Sequence, residues 1–410
     1  MIRQDRHDLG GRFLAIVRKR HDLGGRFRAI VRKRPPRSSR PACTALAVAL
    51  VTFLPESAAA QGAAAASHDQ HQTAGDQGDY PSLKITGFGD IDFSATRHPE
   101  GAQGFSEGQL TLHMASALSP HTTFFGEVTF TPRTDAGMGT PPAPGFNAEV
   151  ERMIIRFDRN DKLKVSFGRY HTPINWWNTA FHHGQWLQTT ITRPEMIQFG
   201  GKLLPVHFVG ALVEGAIPAG GLNLNYQAGI GNGRSSVLSR AGDAGDINGS
   251  RAVLFTGFIR PDRAYALQTG GSIYADTITL ASGGTFQERI YSGHIVWTRE
   301  DPELIAEFAA IRHAPIGVST PNWTRAFYAQ AAYRLPQLNR LWKPYVRFEH
   351  IGVNLADAVF AGVPSLDMTT IGVRYDLSAL AAVKTEYRTW TRGAGTVRNQ
   401  GGFMQICFTF

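Results

Sequence analysis

The feature that most limits what this chain can fold into is the rhythm of its connections. From Ser82 to Phe410 the sequence runs in segments of roughly ten residues in which apolar and polar side chains alternate. In "LKITGFGDIDFSA", Leu83, Ile85, Ile91 and Phe93 alternate with Lys84, Thr86, Asp90 and Asp92. "QLTLHMASAL" and "LNLNYQAGI" repeat the pattern, the latter setting Leu222, Leu224, Tyr226 and Ile230 against Asn223, Asn225 and Gln227. Short breaks fall at 119–121, 158–161, 216–220, 261–263, 299–302, 335–341 and 377–381. Long ones fall at 98–108, 132–147, 171–203, 232–250, 277–287, 314–322, 352–365 and 393–401, so that short and long alternate. A soluble β-sandwich gives no reason for that alternation, or for the lysines and carboxylates inside strong strands. In lipid every backbone N–H and C=O must be paired, so a sheet has to close on itself. The pattern therefore predicts an all-β fold: a transmembrane antiparallel up-and-down β-barrel of about 16 strands, with short periplasmic turns and long extracellular loops. A barrel of that size is expected to hold a water-filled lumen.

The chain's last residues agree. In "GGFMQICFTF", Met404, Ile406, Phe408 and Phe410 form an apolar face, and Phe403, Gln405, Cys407 and Thr409 a mixed one. Chain ends are usually polar and frayed, but the last strand of a barrel must pair with the first and so ends inside the sheet. A terminal Phe after an alternating aromatic strand resembles the signal read by the outer-membrane barrel assembly machinery. Cys407 has no partner after Cys43 is removed with the leader, so the mature chain is expected to form no disulfide, and Cys407 is read as packing.

The formal charge of +9 belongs to the leader. Residues 1–60 hold 13 of the 42 Lys and Arg and 4 of the 33 Asp and Glu, which leaves 29 of each sign beyond them. The rest of the chain is neutral, and nucleic acid is not an expected partner. Residues 1–60 form an N-terminal extension with a 14-residue repeat, "RHDLGGRFLAIVRKR" followed by "RHDLGGRFRAIVRKR", and then a signal peptide. Its basic region precedes an apolar stretch from about Ala45 to Leu54 and a small-residue end at Ala58 and Ala60, so cleavage is expected near Ala60. Residues 61–81 are small, polar and aperiodic, and read as a disordered periplasmic lead-in before a barrel spanning 82–410.

Strand parity assigns the lumen. With Met153, Ile155 and Phe157 facing lipid, Arg152 and Arg156 turn inward; with Leu163, Val165 and Phe167 outward, Lys164 turns inward. Arg347, Arg374, Lys384 and Arg388 follow on late strands, and Asp90, Asp92, Glu127, Glu307, Glu349 and Glu386 add acids. Strips of charge select ions by sign, unless each basic group pairs with an acid across the wall. The third long connection, 171–203, is the longest and the richest in aromatics. Folded inward it would form a constriction from Trp176, Trp177, His182, His183, Trp186 and Arg193, its rings packing on the inner wall or making a greasy narrowing. His113 and Ser116 fall on opposite faces, and Asp90 and Asp92 share a face with no nearby His, so no catalytic site is expected. No cofactor or resident metal is expected either.

The stretches "GDIDFSA", "FFGEVTF", "ERMIIRFDRNDKLKVSFGRYHTPI" and the terminal "FTF" resemble Gram-negative outer-membrane porins, nearest to the phosphate-selective porin (O and P) type. Gly168, Arg169, Thr172 and Pro173 match that family's residues ahead of its long third loop. The resemblance implies an outer-membrane location, passive diffusion of small hydrophilic solutes or ions, contact with outer-membrane lipid, and a homotrimer, while Arg152, Arg156 and Lys164 on the strands leading into the third long loop predict a weak anion preference. It leaves a specific phosphate or pyrophosphate channel as an alternative, and the 12 histidines beyond the leader leave a divalent-metal channel as another.

Overall fold

The computed structural model describes residues 80–98, 103–138, 140–181, 183–234, 236–240, 242–317, 320–393, 395 and 397–410. The predicted leader, the lead-in up to residue 79, and His182 lie outside the described residues. The strands are β1 (Ser82–Thr96), β2 (Gly104–Ser119), β3 (Thr122–Pro132), β4 (Phe146–Asn160), β5 (Leu163–His171), β6 (His207–Ile217), β7 (Leu224–Asn232) and β8 (Ala252–Ile259). They continue as β9 (Leu267–Thr279), β10 (Thr285–Trp297), β11 (Glu303–Pro315), β12 (Asn322–Ala332), β13 (Trp342–Gly352), β14 (Leu366–Ser378), β15 (Ala381–Arg392) and β16 (Asn399–Thr409). Each pairs antiparallel with its neighbours in the chain, and β1 also pairs with β16, so the sheet closes as a barrel of 16 strands. The predicted fold class and strand number are both found, and the sandwich is excluded because no open edge remains.

Every predicted break falls between two strands. The difference between long and short is less strict than expected. The connection 280–284 is shorter than 333–341, which belongs to the short set. β9 and β10 stay paired as far as Thr279 and Thr285, consuming most of their loop. The connection 333–341 instead holds a 3-10 turn at Pro336–Leu338, with Asn339 and Arg340 at positive φ.

The outer face is apolar. Ile273, Ile295, Phe308, Phe327, Phe348 and Ile371 are exposed there, a surface suited to lipid. At the seam Gly87 donates its N–H to the Phe410 carbonyl at 2.9 Å, and Phe410 returns one to Gly87 at 3.0 Å. A Cβ on Gly87 would lie 2.2 Å from the Phe410 ring, so glycine here leaves a flat seat that the terminal aromatic covers. Cys407 points inward and is fully buried, opposite Ala382 and Asp90 in the register.

The interior departs from a water-filled lumen. The inward positions of β9–β12 include Tyr274, Ile278, Ile290, Ile305, Ile311 and Tyr328, each at most 1% exposed. They form one apolar cluster with Trp177, Phe181, Met196 and Ile197 of the connection 172–206, called L3 below. That part of the barrel is packed solid. The parity pattern predicted which residues face inward, and the expected packing of the long loop's rings on the inner wall is what covers them.

Candidate constriction site

L3 leaves β5, enters the barrel and returns to β6. Thr172 donates its N–H to the Val206 carbonyl at 3.0 Å, and the Asn178 side chain donates to the carbonyls of both at 2.9 Å, closing the loop's base. Between them lies α1 (Trp177–Ala180). The segment folds inward because Ile174, Trp176, Trp177 and Phe181 need apolar cover, and the face of β11 and β12 supplies it. Trp177 meets Phe181 and Tyr328 edge-on. The rings therefore pack on the inner wall; of the predicted tryptophans, Trp176 also borders open space.

A loop inside a barrel leaves its backbone without water, so each polar group needs a protein partner. The wall supplies charged ones. Glu307 on β11 accepts N–H bonds from Trp176 and Trp177, both at 2.7 Å. Glu386 on β15 accepts from Ile191 at 2.7 Å, and Glu349 on β13 from Glu195 at 2.6 Å. The carbonyls go to cations. Arg347 donates to Thr192 at 2.8 Å, Arg374 to Trp186 and Gln188 at 2.6 and 3.0 Å, and Lys384 to Gln185 and Thr190 at 2.5 and 3.0 Å. Such charge-assisted bonds are roughly twice as strong as neutral ones.

This changes the reading of the late-strand charges. Arg347, Arg374, Lys384 and Arg388 face inward as parity predicts, but Arg347 and Lys384 are fully buried. The first three hold loop backbone rather than line open water. Arg388 bonds Glu386 at 2.6 Å and lies 3.9 Å over the Phe403 ring. Asp90 accepts the Gln109 N–H at 3.2 Å. Asp92 accepts from Gln405 at 2.9 Å, and the Gln405 carbonyl in turn takes the Lys384 ammonium at 3.1 Å. On the early strands Arg152 pairs with the fully buried Glu127, and Arg156 with Asp158 at 2.7 Å and Glu214 at 3.6 Å. Lys164 stands opposite Asp158 and Glu214 in the register. Each of Arg152, Arg156, Arg347 and Arg388 pairs with an acid: Arg152 with Glu127 on the neighbouring strand, Arg156 with both kinds of partner, and Arg347 and Arg388 with Glu349 and Glu386 along their own strands.

Two residues escaped the sequence reading. A β-bulge between Glu127 and Val128 sets Glu151 as the extra residue of β4, so that Glu151 and Arg152 both serve the interior. Strict alternation puts Glu151 on the lipid side, and nothing in the sequence marks the bulge. His207 opens β6, beyond the predicted loop boundary. Glu151 meets His207 at 2.7 Å and His183 of L3 at 3.3 Å. Arg193 is buried, lies 3.8 Å over the Phe199 ring and donates to Asn178 at 2.9 Å. Among the described residues no group of three or more His, Cys, Asp or Glu is arranged to hold a metal ion.

Beneath L3 lies a chamber of about 290 Å³. It reaches from Pro173, Asn175 and Trp176 on the loop to Tyr265 and Thr298 at the end where the short turns cluster. Arg152, Arg156 and Arg260 line it, and Glu214 is its one carboxylate. Tyr170, Phe258, Gln227 and Gln268 contribute mixed apolar and amide surface.

No protein-family model and no curated protein matches the sequence. Solved structures do. An anion-selective porin from Comamonas acidovorans is 11% identical with a TM-score of 0.58, covering 80% of this chain and all of its own. OmpT of Vibrio cholerae, described as an outer membrane protein in a trimer form, is 12% identical with a TM-score of 0.54 over 81% of this chain and all of its own. The outer membrane channel DcaP of Acinetobacter baumannii is 10% identical with a TM-score of 0.52 over 80% of this chain and 97% of its own. At these identities the likeness establishes the fold: this chain is a closed 16-strand barrel of the kind that outer-membrane porins have.

Proposed function

We propose that the chain is a passive diffusion channel of a Gram-negative outer membrane, admitting small hydrophilic solutes with a weak preference for anions. The carrying observation is a closed barrel with an inward-folded L3 above a chamber that presents three guanidiniums and one carboxylate. The cations focus anions in a low-dielectric wall, but their pairing with Glu127, Asp158 and Glu214 keeps the preference weak. A dedicated phosphate site would need unpaired cations crowded together, which this chamber does not supply. The trimeric OmpT form supports a homotrimer here.

The test is a planar-bilayer recording of the purified protein in a KCl gradient. The zero-current potential of the native channel should lie on the anion side. Arg156→Glu with Arg260→Glu should move it toward cations; both residues line the chamber without holding a fully buried carboxylate. A potential that ignores both changes would place the selective region elsewhere. Absence of conductance in a folded barrel would end the channel reading.

A further inference from the structure

We propose that three arginines on the outer wall of β10–β12 form a binding site for a phosphate-bearing lipid headgroup of the outer leaflet. Arg289 on β10, Arg312 on β11 and Arg325 on β12 all face outward, since their chain neighbours Glu288, Ile290, Ile311, His313, Thr324 and Ala326 are buried inside the barrel. Arg325 is exposed and the other two are half-buried. Arg289 stands directly opposite Arg312, and Arg325 stands opposite Ala310, the next outward residue of β11. The first pair is therefore about 5 Å apart at Cβ and the second about 7–8 Å, which makes one patch.

Like charges directly opposite each other destabilise a sheet, and the fold does not offset these. Among the described residues none of the three meets a carboxylate; Arg289 donates to the backbone carbonyl of Glu288 at 2.8 Å. The adjoining connections 280–284 and 316–321 contain no Asp or Glu. In the next connection, 353–365, Asp357 is buried against His313 at 2.6 Å, and Asp367, on the outer face of β14, is taken by His350 at 2.7 Å. The inward arginines Arg152, Arg156, Arg347 and Arg388 each have an acid instead. Three cations set side by side without a partner break a local rule of sheet stability, and such breaks belong to functional surfaces.

The patch lies at the height of a headgroup. All three arginines are near the strand ends that adjoin the long-loop side. Toward the barrel's waist the same strands expose Ile295, Phe308 and Phe327, an apolar band for acyl chains. Beside the arginines, Tyr291 and Trp323 stack on the outer wall with ring centroids 6.2 Å apart, and Trp323 is directly opposite Arg312. Exposed rings of this kind mark the membrane–water interface. A lipid phosphate therefore meets the guanidiniums while its chains run down the apolar band. The planar guanidinium fork matches phosphate oxygens two at a time. A lipid already stands against this wall, whereas a soluble anion would have to leave water to reach it. The inference needs the barrel's place in the membrane and not its conduction, because the patch faces away from the lumen.

The test is native mass spectrometry of the folded full chain in detergent, titrated with lipid A carrying its phosphates and with the same lipid dephosphorylated. The native protein should bind the phosphorylated form about tenfold or more tightly than the other, a comparison that needs no variant. Arg289→Gln with Arg312→Gln and Arg325→Gln should bring the two forms level. Arg159→Gln with Arg263→Gln and Arg299→Gln takes the same charge from exposed positions at the short-turn end and should leave the preference intact. Equal binding of both lipids by the native protein would overturn the proposal. So would a patch variant that keeps the native preference, or a turn-end variant that loses it as fully, because net charge alone would then be responsible. Binding is read on the folded barrel in detergent. A barrel silent in bilayers therefore leaves the lipid site standing, and loss of the lipid preference leaves the channel reading untouched.

Discussion

Replacing Glu307 with alanine should loosen the first limb of L3 and leave the barrel closed. Its Oε1 accepts two backbone N–H bonds at 2.7 Å, from Trp176 and Trp177, in a site where Glu307 is 2% exposed. Hydrogen bonds to a charged partner contribute about 1.5–3 kcal/mol each, so the pair is worth about 3–6 kcal/mol to the docked limb. Water entering the vacated space returns part of that. A net loss of about 2–4 kcal/mol multiplies the undocked fraction of the limb by about thirty to a thousand. The strand ladder of β11 is untouched, since its pairing with β10 and β12 is main-chain. The assay is hydrogen exchange of the 174–181 amides, with the β11 amides as internal reference. Exchange in the limb should rise by one and a half to three orders of magnitude by the same conversion, with the reference unchanged. Trp177→Ala separates the contributions, because truncating a buried ring of this size costs about 3–5 kcal/mol. If Glu307→Ala leaves limb exchange as it was while Trp177→Ala raises it, apolar packing alone docks the loop, and the account of carboxylates satisfying buried N–H groups is wrong.

Two further outcomes follow from the ends of the chain. Deleting Phe410 removes both N–H···O bonds to Gly87 and uncovers the glycine seat, so the folded, heat-modifiable form in outer-membrane fractions should fall several-fold on gels; equal amounts would make the terminal ring incidental. Mass spectrometry of the membrane-inserted protein should find an N-terminus at or near Gln61, and a peptide containing "HDLGGRF" in that material would contradict the predicted cleavage.

How much the sequence determined depends on the range of the interaction involved. Alternation is set residue by residue by the pleat, and connection length by local turn chemistry, so strand number, closure and most inward positions were legible without coordinates. Phe410 could be placed at the seam for the same reason, since a closed sheet leaves the last strand one partner. The candidate site was only half legible. The aromatic richness of L3 marked it as a segment in need of cover, and parity turned Arg347, Arg374 and Lys384 toward the interior. What parity could not say is that those three bind the loop's own carbonyls, because that depends on L3 crossing to strands far away in sequence. Glu151 was hidden by a bulge, which reverses the alternation at one residue and depends on how two strands fit together. The apolar packing of β9–β12 with L3 likewise belongs to no segment alone. Faces are local properties of a chain, whereas what covers a face is settled only when distant segments meet.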